Sequence, residues 1–389
     1  MRHLFGRILR WTLGALGAIA VLGAVLWLYA AHQPRGLVTV DEVISPGEDA
    51  AIMRLVRAAT ASLDARAKDD HLYRRDVHFE SHGCVKAVLE VDPKIDARYR
   101  QGVFTVPGRR YQAWVRFSNA TQTDDRQPDG RGMAIKLMNV PGPKLLPPAD
   151  DPEQGTQDFV MVDYHTFFLR NLADYEEFFP YQVANRPVRY FFAGWPWSWK
   201  LHALYHGARA LVQHVSSPLA ARYYSMSAYR FGPENVKFSA QPCVMPKTPM
   251  PDPRTANYLR DALVRDLQGA DACFRFLVQL QDPTRNMPIE DPSIQWDEDE
   301  SPYVPIATLT IPVQEFSTDR QNRFCEHLSF APWHALPAHR PVGALNRARL
   351  AVYREVSRRR NARNDVPRGE PRGWCLDSSG APCPAEDSP

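Results

Sequence analysis

The chain has 389 residues, 44% of them hydrophobic and 23% charged, a length and balance that allow one large domain to bury a core and still enclose a cofactor. With 47 basic against 44 acidic residues the net charge is only +3, which argues against a nucleic-acid partner. The 34 prolines exclude a helix bundle and suggest extended connections wrapped over a core.

The chain begins with Arg2, Arg7 and Arg10, followed by an uncharged run over 11–30, WTLGALGAIAVLGAVLWLYA. Such a run has about the 20 residues a spanning helix needs. Arg35, Asp41, Glu42, Glu48 and Asp49 follow it. Hydropathy and the positive-inside rule therefore predict a cytoplasmic segment 1–10 and a transmembrane helix 11–31, in a single-pass bacterial inner-membrane protein whose main domain is periplasmic. The lipid bilayer is then a partner through that helix. A cleaved signal peptide is the rival reading, but its apolar region is normally shorter and no A-x-A site follows. Residues 32–50 read as a linker.

Residues 51–68 carry helical periodicity and open the folded part, 51–365. From 84 to 162 strand patterns dominate: CVKAVLEV, GVFTV, YQAWVRFS, GMAIKLMNV and DFVMV, separated by Pro, Gly and Asp turns. Short strands at this spacing predict an antiparallel barrel or sandwich in an α+β domain. Residues 171–215 read as helical and aromatic, broken at GWPWSW; VKFSAQP and ATLTIPV read as strands, with the helix YLRDALVRDLQ between them. Residues 343–363 form a basic helix, and 366–389 read as a flexible tail. The six cysteines include no CxxC pair, which argues against zinc or iron–sulfur. Cys375 and Cys383 are close enough to bridge, with two free thiols as the alternative.

Three stretches can carry chemistry. On the last helix, Arg349, Tyr353 and Arg360 fall within about 40° of one another on the helical wheel. Two guanidiniums beside a phenol favour tyrosinate, a good ligand for ferric iron; a solvated basic face is the plainer reading. In YQAWVRFS, alternation puts Trp114, Arg116 and Ser118 on one face and Val115 and Phe117 on the other. The third stretch holds Arg75, His78 and His82.

Taken in order, these stretches resemble the haem catalases. RDVHFESHG resembles the R-x-x-H-x-K-G segment of that family, WVRFSN its V-R-F-S strand, and PDGRGMAIKL its R-D-x-R-G-F-A-V-K. DFVMVDYHTFFLRN resembles D-L-V-G-N-N-T-P-V-F-F-I-R-D, and RLAVYREVSRRR the R-L-F-x-Y segment that ligates iron. LSFAPWHALPAHRPVGALNRAR resembles the short catalase-related bacterial proteins more closely than full-length catalases. The similarity spans about residues 70–365.

The resemblance implies a catalase-type antiparallel β-barrel with flanking helices that binds haem b and cleaves peroxide as a catalase or peroxidase, its electron donor unspecified. Tyr353 would be the metal ligand, with Arg349 paired to it. His78 would be the distal base, His82 its alternative, and Ser118 would orient the ring. Arg75, Arg116 and Arg360 would bind the propionates, with Arg131 nearby, and Phe117 or Phe168 would pack on the haem. Two positions depart from the family: Asp163 aligns with the distal Asn, and Glu80 with a Lys. An ionised Asp cannot donate a hydrogen bond to peroxide as an amide does. The alternatives are a lipid-hydroperoxide-converting enzyme of the allene oxide synthase type and a non-catalytic haem- or lipid-binding barrel.

Overall fold

The computed structural model describes residues 2–67, 73–148, 155–184, 186–246, 248–366 and 369–383. Met1, the end of the expected first helix of the domain at residue 68, and 384–389 lie outside them. In chain order the elements are α1 (Arg2–Ala31), α2 (Glu48–Arg66), β1 (Ser81–Val91), β2 (Arg110–Asn119), β3 (Arg131–Leu137), β4 (Gln157–Val162), α3 (Leu172–Val183), α4 (Val188–Phe191) and α5 (Leu201–Leu211). They continue with β5 (Tyr223–Tyr224), β6 (Tyr229–Phe231), β7 (Glu234–Pro242), α6 (Tyr258–Gly269), β8 (Ala272–Leu280), β9 (Val304–Ile311), α7 (Asp319–His327) and α8 (Ala344–Arg363).

Eight antiparallel strands pair in the order β5–β4–β3–β2–β1–β9–β8–β7, and β7 closes back on β5; β6 is a short hairpin arm on β7. Alternation along each strand sends one set of side chains inward. Val85, Ala87 and Leu89 from β1, Val115 and Phe117 from β2, and Met133 and Ile135 from β3 fill the interior with Phe159, Phe238 and Phe276. The Phe159 and Phe276 ring centroids are 4.8 Å apart. Each of these side chains larger than alanine contributes about 1.5–3 kcal/mol by burial. The filled interior leaves the outer face to carry chemistry.

GVFTV, expected as a strand, instead forms a 3₁₀ turn at Gly102–Phe104. Gly102 has φ 54°, and a Cβ there would lie 2.2 Å from Nε2 of the buried His339. The strand at 272–280 adds to those expected; Phe274, Phe276, Val278 and Leu280 alternate along it with Arg275 and Gln279 and face the core.

The expected membrane span is corrected: among the described residues, no helix is long and apolar enough to cross a membrane. The inner-membrane placement loses its anchor with it. Residues 11–31 are helical, but the end of α1 docks on the domain. Trp27 packs edge-on to Tyr205 of α5 at 5.0 Å, and the Ala30 carbonyl lies 3.1 Å from His202 Nδ1. The segment read as a linker is a strap along the barrel. Gly36 N donates to Asn286 Oδ1 (2.9 Å), Asn235 Nδ2 donates to Val40 O (2.8 Å), and Glu42 pairs with Arg340 and Arg347.

The tail is packed as well, over 369–383. Trp114 Nε1 donates to Gly373 O (3.1 Å) and Trp374 Nε1 to Ala113 O (3.0 Å). Cys375 and Cys383 are bridged, as are Cys84–Cys325 and Cys243–Cys273.

Candidate functional site

The site forms where the outer face of β1–β4 meets α8. α8 packs on α2 and α3 through Ala344, Ala348, Val352 and Val356, one residue per turn. This directs the neighbouring Arg349–Tyr353 stripe toward the barrel. The Arg349 guanidinium carbon lies 5.7 Å from the Tyr353 ring centre, and Nη1 also reaches Asn346 Oδ1 at 3.3 Å and Ser227 Oγ at 3.5 Å. Burial opposes the charge of Arg349, but the adjacent phenols of Tyr353 and Tyr229 and the hydrogen bond to Tyr353 hold its pKa above the ordinary guanidinium value.

The Arg349 end of this stripe lies near enough to His78 to act on its charge. His78 is one of four non-glycine residues with positive φ among those described, at 57°, a conformation that costs energy and persists only where its surroundings enforce it. Its backbone N–H donates to Ala120 O (2.7 Å), and Nδ1 lies 3.1 Å from Ser118 Oγ. Gly132 makes room for the ring: a Cβ there would fall 2.5 Å from Nδ1 and 2.9 Å from Ser118 Oγ. Burial, then the guanidiniums of Arg116, Arg349 and Arg75, push the imidazole down to about 3. His78 is therefore neutral at physiological pH.

His82 belongs to a different network. It sits at the irregularity in β1 between Ser81 and Gly83. Nε2 lies 3.0 Å from Asn119 Oδ1, and Asn119 Nδ2 donates to Asp125 Oδ1 at 2.7 Å. Asn119 is next to Ser118 in β2 and so faces the other way. Arg131, expected near the haem propionates, is corrected to this same network: Nη1 donates to Asn119 Oδ1 and Nη2 to Asp125 O.

Arg75, Arg116 and Arg360 do come together, as the sequence predicts. Arg75 donates to Cys325 O (3.0 Å), Leu328 O and Glu326 Oε2 (3.3 Å). Arg360 donates to His327 O and Ser329 Oγ, both at 3.3 Å. Arg116 is 3% exposed, donates weakly to Phe79 O (3.4 Å), and leaves Nε without a partner. Burial and then Arg75 push Arg360 down to about 9, and the same two causes drive Arg116 well below the guanidinium range, with Arg360 adding to the effect. A guanidinium does not give up its proton at these values. The shifts express the cost of three buried cations beside two carboxylates, Glu326 and Glu80, and a bound dianion would relieve that cost.

Three expected placements are corrected by strand alternation and packing. Phe117 points into the barrel, 6.0 Å from Tyr223 and 6.3 Å from Phe274, because its neighbours Arg116 and Ser118 take the outer face. Phe168 packs with Phe178 (4.9 Å) and Phe191 (6.1 Å) among α3–α5. Asp163 accepts from Arg131 N at 2.7 Å and leaves Oδ2 buried without a partner. Burial raises its pKa to about 7, and its charge interacts with the barrel-core Tyr223. The residue in register opposite Gly132, and so on the His78 face, is Val162. Sequence reasoning missed Gly132, Val162 and Glu326. Strand parity says only that Asp163 and Val162 face opposite ways; the pairing with β3 assigns Val162 to the His78 face.

No family model matches the sequence, and no curated protein matches it. Solved structures do. A fungal catalase superposes with a TM-score of 0.57 at 16% identity, covering 76% of this chain and 62% of its own. Catalase A from Saccharomyces cerevisiae gives 0.58 at 16%, covering 84% and 67%, and a bacterial catalase 0.58 at 14%, covering 92% and 70%. The chain has the catalase fold and spans 62–70% of the length of these catalases.

Proposed function

We propose that this protein is a haem-dependent oxidoreductase that cleaves peroxides. The observation that carries the reading is the pairing of two faces: a neutral, strained His78 held by Ser118 on the barrel, and Tyr353 beside the charged Arg349 on α8, with a carboxylate-poor arginine cluster at their edge. This donor set fits haem. Tyr353 would be the ligand for ferric iron, with the Arg349 guanidinium beside its ring. Arg75, Arg116 and Arg360 would take the two propionates, and the unpartnered Nε of Arg116 has a bond to give. Bound haem supplies the redox chemistry at the peroxide oxygens.

The chain's own residues handle the proton. With Nδ1 donating to Ser118 Oγ, the tautomer assigned here, His78 Nε2 carries a free lone pair. It takes the peroxide proton from one oxygen and returns it to the departing one, which leaves as water or an alcohol. Burial and the guanidiniums of Arg116, Arg349 and Arg75 keep the imidazole neutral before it meets the peroxide.

The test is reconstitution of the full chain with haem. The wild type is expected to take up haem with a high-spin tyrosinate-type absorption spectrum, and Tyr353→Phe to lose that spectrum. Persistence of the spectrum in the variant removes Tyr353 as ligand. Haem uptake with no turnover of hydrogen peroxide or an organic hydroperoxide leaves a binding module instead.

A further inference from the structure

We propose that Val162 makes the His78 face selective for organic hydroperoxides over hydrogen peroxide. The proposal rests on the peroxide-cleaving reading above and names the substrate class of that same site.

The geometry is a row of residues running across five strands. Ser81 pairs with Ser118, Ser118 with Gly132, Gly132 with Val162, and Val162 with Tyr224. Directly opposed residues in antiparallel strands project to the same face. The Cβ direction of Gly132 points at the His78 ring and Ser118 Oγ, so the row is the surface His78 stands on. Along it, the polar groups are already engaged. Ser118 Oγ is spent on His78 Nδ1, and Ser81 Oγ lies against Cys325 Sγ at 3.4 Å. Next comes Val162, half-buried and apolar. Beyond it is the Tyr224 ring, capped by the Arg222 guanidinium at 4.8 Å. Asp163, the nearest carboxyl in sequence, is turned onto the Arg131 backbone.

The two substrates ask different things of this wall. In 2 H2O2 → 2 H2O + O2, the second peroxide must give up two protons and two electrons at the same face. His78 serves one O–H; the other meets Val162 and is left unpaired, the situation that discriminates most strongly between substrates. An alkyl hydroperoxide has one O–H for His78, and its carbon chain takes the Val162–Tyr224 side. Its reaction with a phenol-class donor balances as ROOH + 2 ArOH → ROH + H2O + 2 ArO•. Removing the alkyl group from water against Val162 adds to the preference.

The experiment uses the haem-loaded full chain, with kcat/KM for cumene hydroperoxide and for hydrogen peroxide measured with guaiacol as donor and oxygen release followed by electrode. The wild type is expected to favour cumene hydroperoxide by about 10-fold or more, the scale of one unpaired polar group. Val162→Asn is expected to cut that ratio about 10-fold and to raise oxygen release; Val162→Thr, which keeps the shape, moves both in the same direction should the amide disturb folding. A readout without turnover is the binding of unreactive cumyl alcohol, followed by the absorption shift of the resting protein, which weakens about 10-fold in Val162→Asn. A haem-loaded wild type that prefers hydrogen peroxide overturns the Val162 assignment alone, as do two variants with unchanged ratio and unchanged alcohol affinity. A chain that takes up no haem overturns the peroxide-cleaving reading together with it.

Discussion

The outer face of the barrel carries two buried charge clusters a few residues apart, and they are built on opposite principles. In the first, Lys136 of β3 lies 2.8 and 2.9 Å from the oxygens of Asp158, its cross-strand partner, and also contacts Glu370 from the tail. His334 Nδ1 adds a contact to Asp158 Oδ2 at 3.1 Å, Ala331 N donates to the same oxygen at 2.9 Å, and Thr156 Oγ1 donates to Glu370 at 3.2 Å. Lys136 and His334 meet two carboxylates with their hydrogen bonds made. In the second cluster, three guanidiniums lie beside two carboxylates, Glu326, which pairs with Arg75, and Glu80, and Arg116 keeps a bare Nε. The first cluster is complete within the protein and ties the tail to the barrel. The second is incomplete, and burial without compensation is what marks a binding site for an anion.

Substitution of the cations separates the two most sharply. Lys136→Met strands two buried carboxylates and is expected to lower unfolding stability by about 3–5 kcal/mol, read by urea titration. A loss below about 1 kcal/mol would show that Asp158 and Glu370 are satisfied without it.

Arg116→Met is expected to behave the opposite way. It removes a cation that the protein alone does not compensate, so stability without haem stays level or rises. Haem affinity falls about 10-fold or more through loss of a charge-assisted bond, measured by titration of the Soret band. Equal destabilisation of the two variants would erase the distinction between the clusters.

The smallest effect is a pH slope, and it has opposite signs in the two places. In the first cluster burial lowers the pKa of His334, but Glu370 and Asp158 outweigh it and the net shift is upward. Its contribution to stability is full below the unfolded value of about 6.5 and fades as pH rises through the raised folded value. His78 binds its proton less tightly folded than unfolded, at about 3. Its contribution is present above about pH 6.5 and is lost as pH falls from there toward 3. Urea midpoints across pH 4–9 for His334→Gln and His78→Gln are the check. The His334 variant should lose more stability at pH 6 than at pH 9, and the His78 variant should flatten the acid limb. The same slope in both variants would contradict these environments.

Much of the site was legible because it rests on short-range periodicity. Spacings of four and seven place Arg349, Tyr353 and Arg360 on one helical face, and alternation places Arg116 and Ser118 together. Both are set by local backbone geometry. What failed was parity and partner choice. Asp163 and Val162 are adjacent in sequence and face opposite ways, and only the pairing of β4 with β3 decides which one meets His78. His78 and His82 are four residues apart in a segment with a strand irregularity, where no period applies. Arg131 directly precedes Gly132, which makes room for the His78 ring, yet its own long side chain found Asn119 and Asp125.

The amino-acid sequence by itself determined the antiparallel strands, the basic last helix, the tyrosine and arginines that share its face, and the likeness to catalases, all of them properties of local spacing and order. The tertiary structure decided that the barrel is filled and the site lies outside it, that the apolar end of α1 docks on α5, that the tail is pinned by Glu370, and that Val162 lines the His78 face. Those outcomes depend on which strand pairs with which and on which charges find partners, and contacts between residues hundreds apart are not written in any local period.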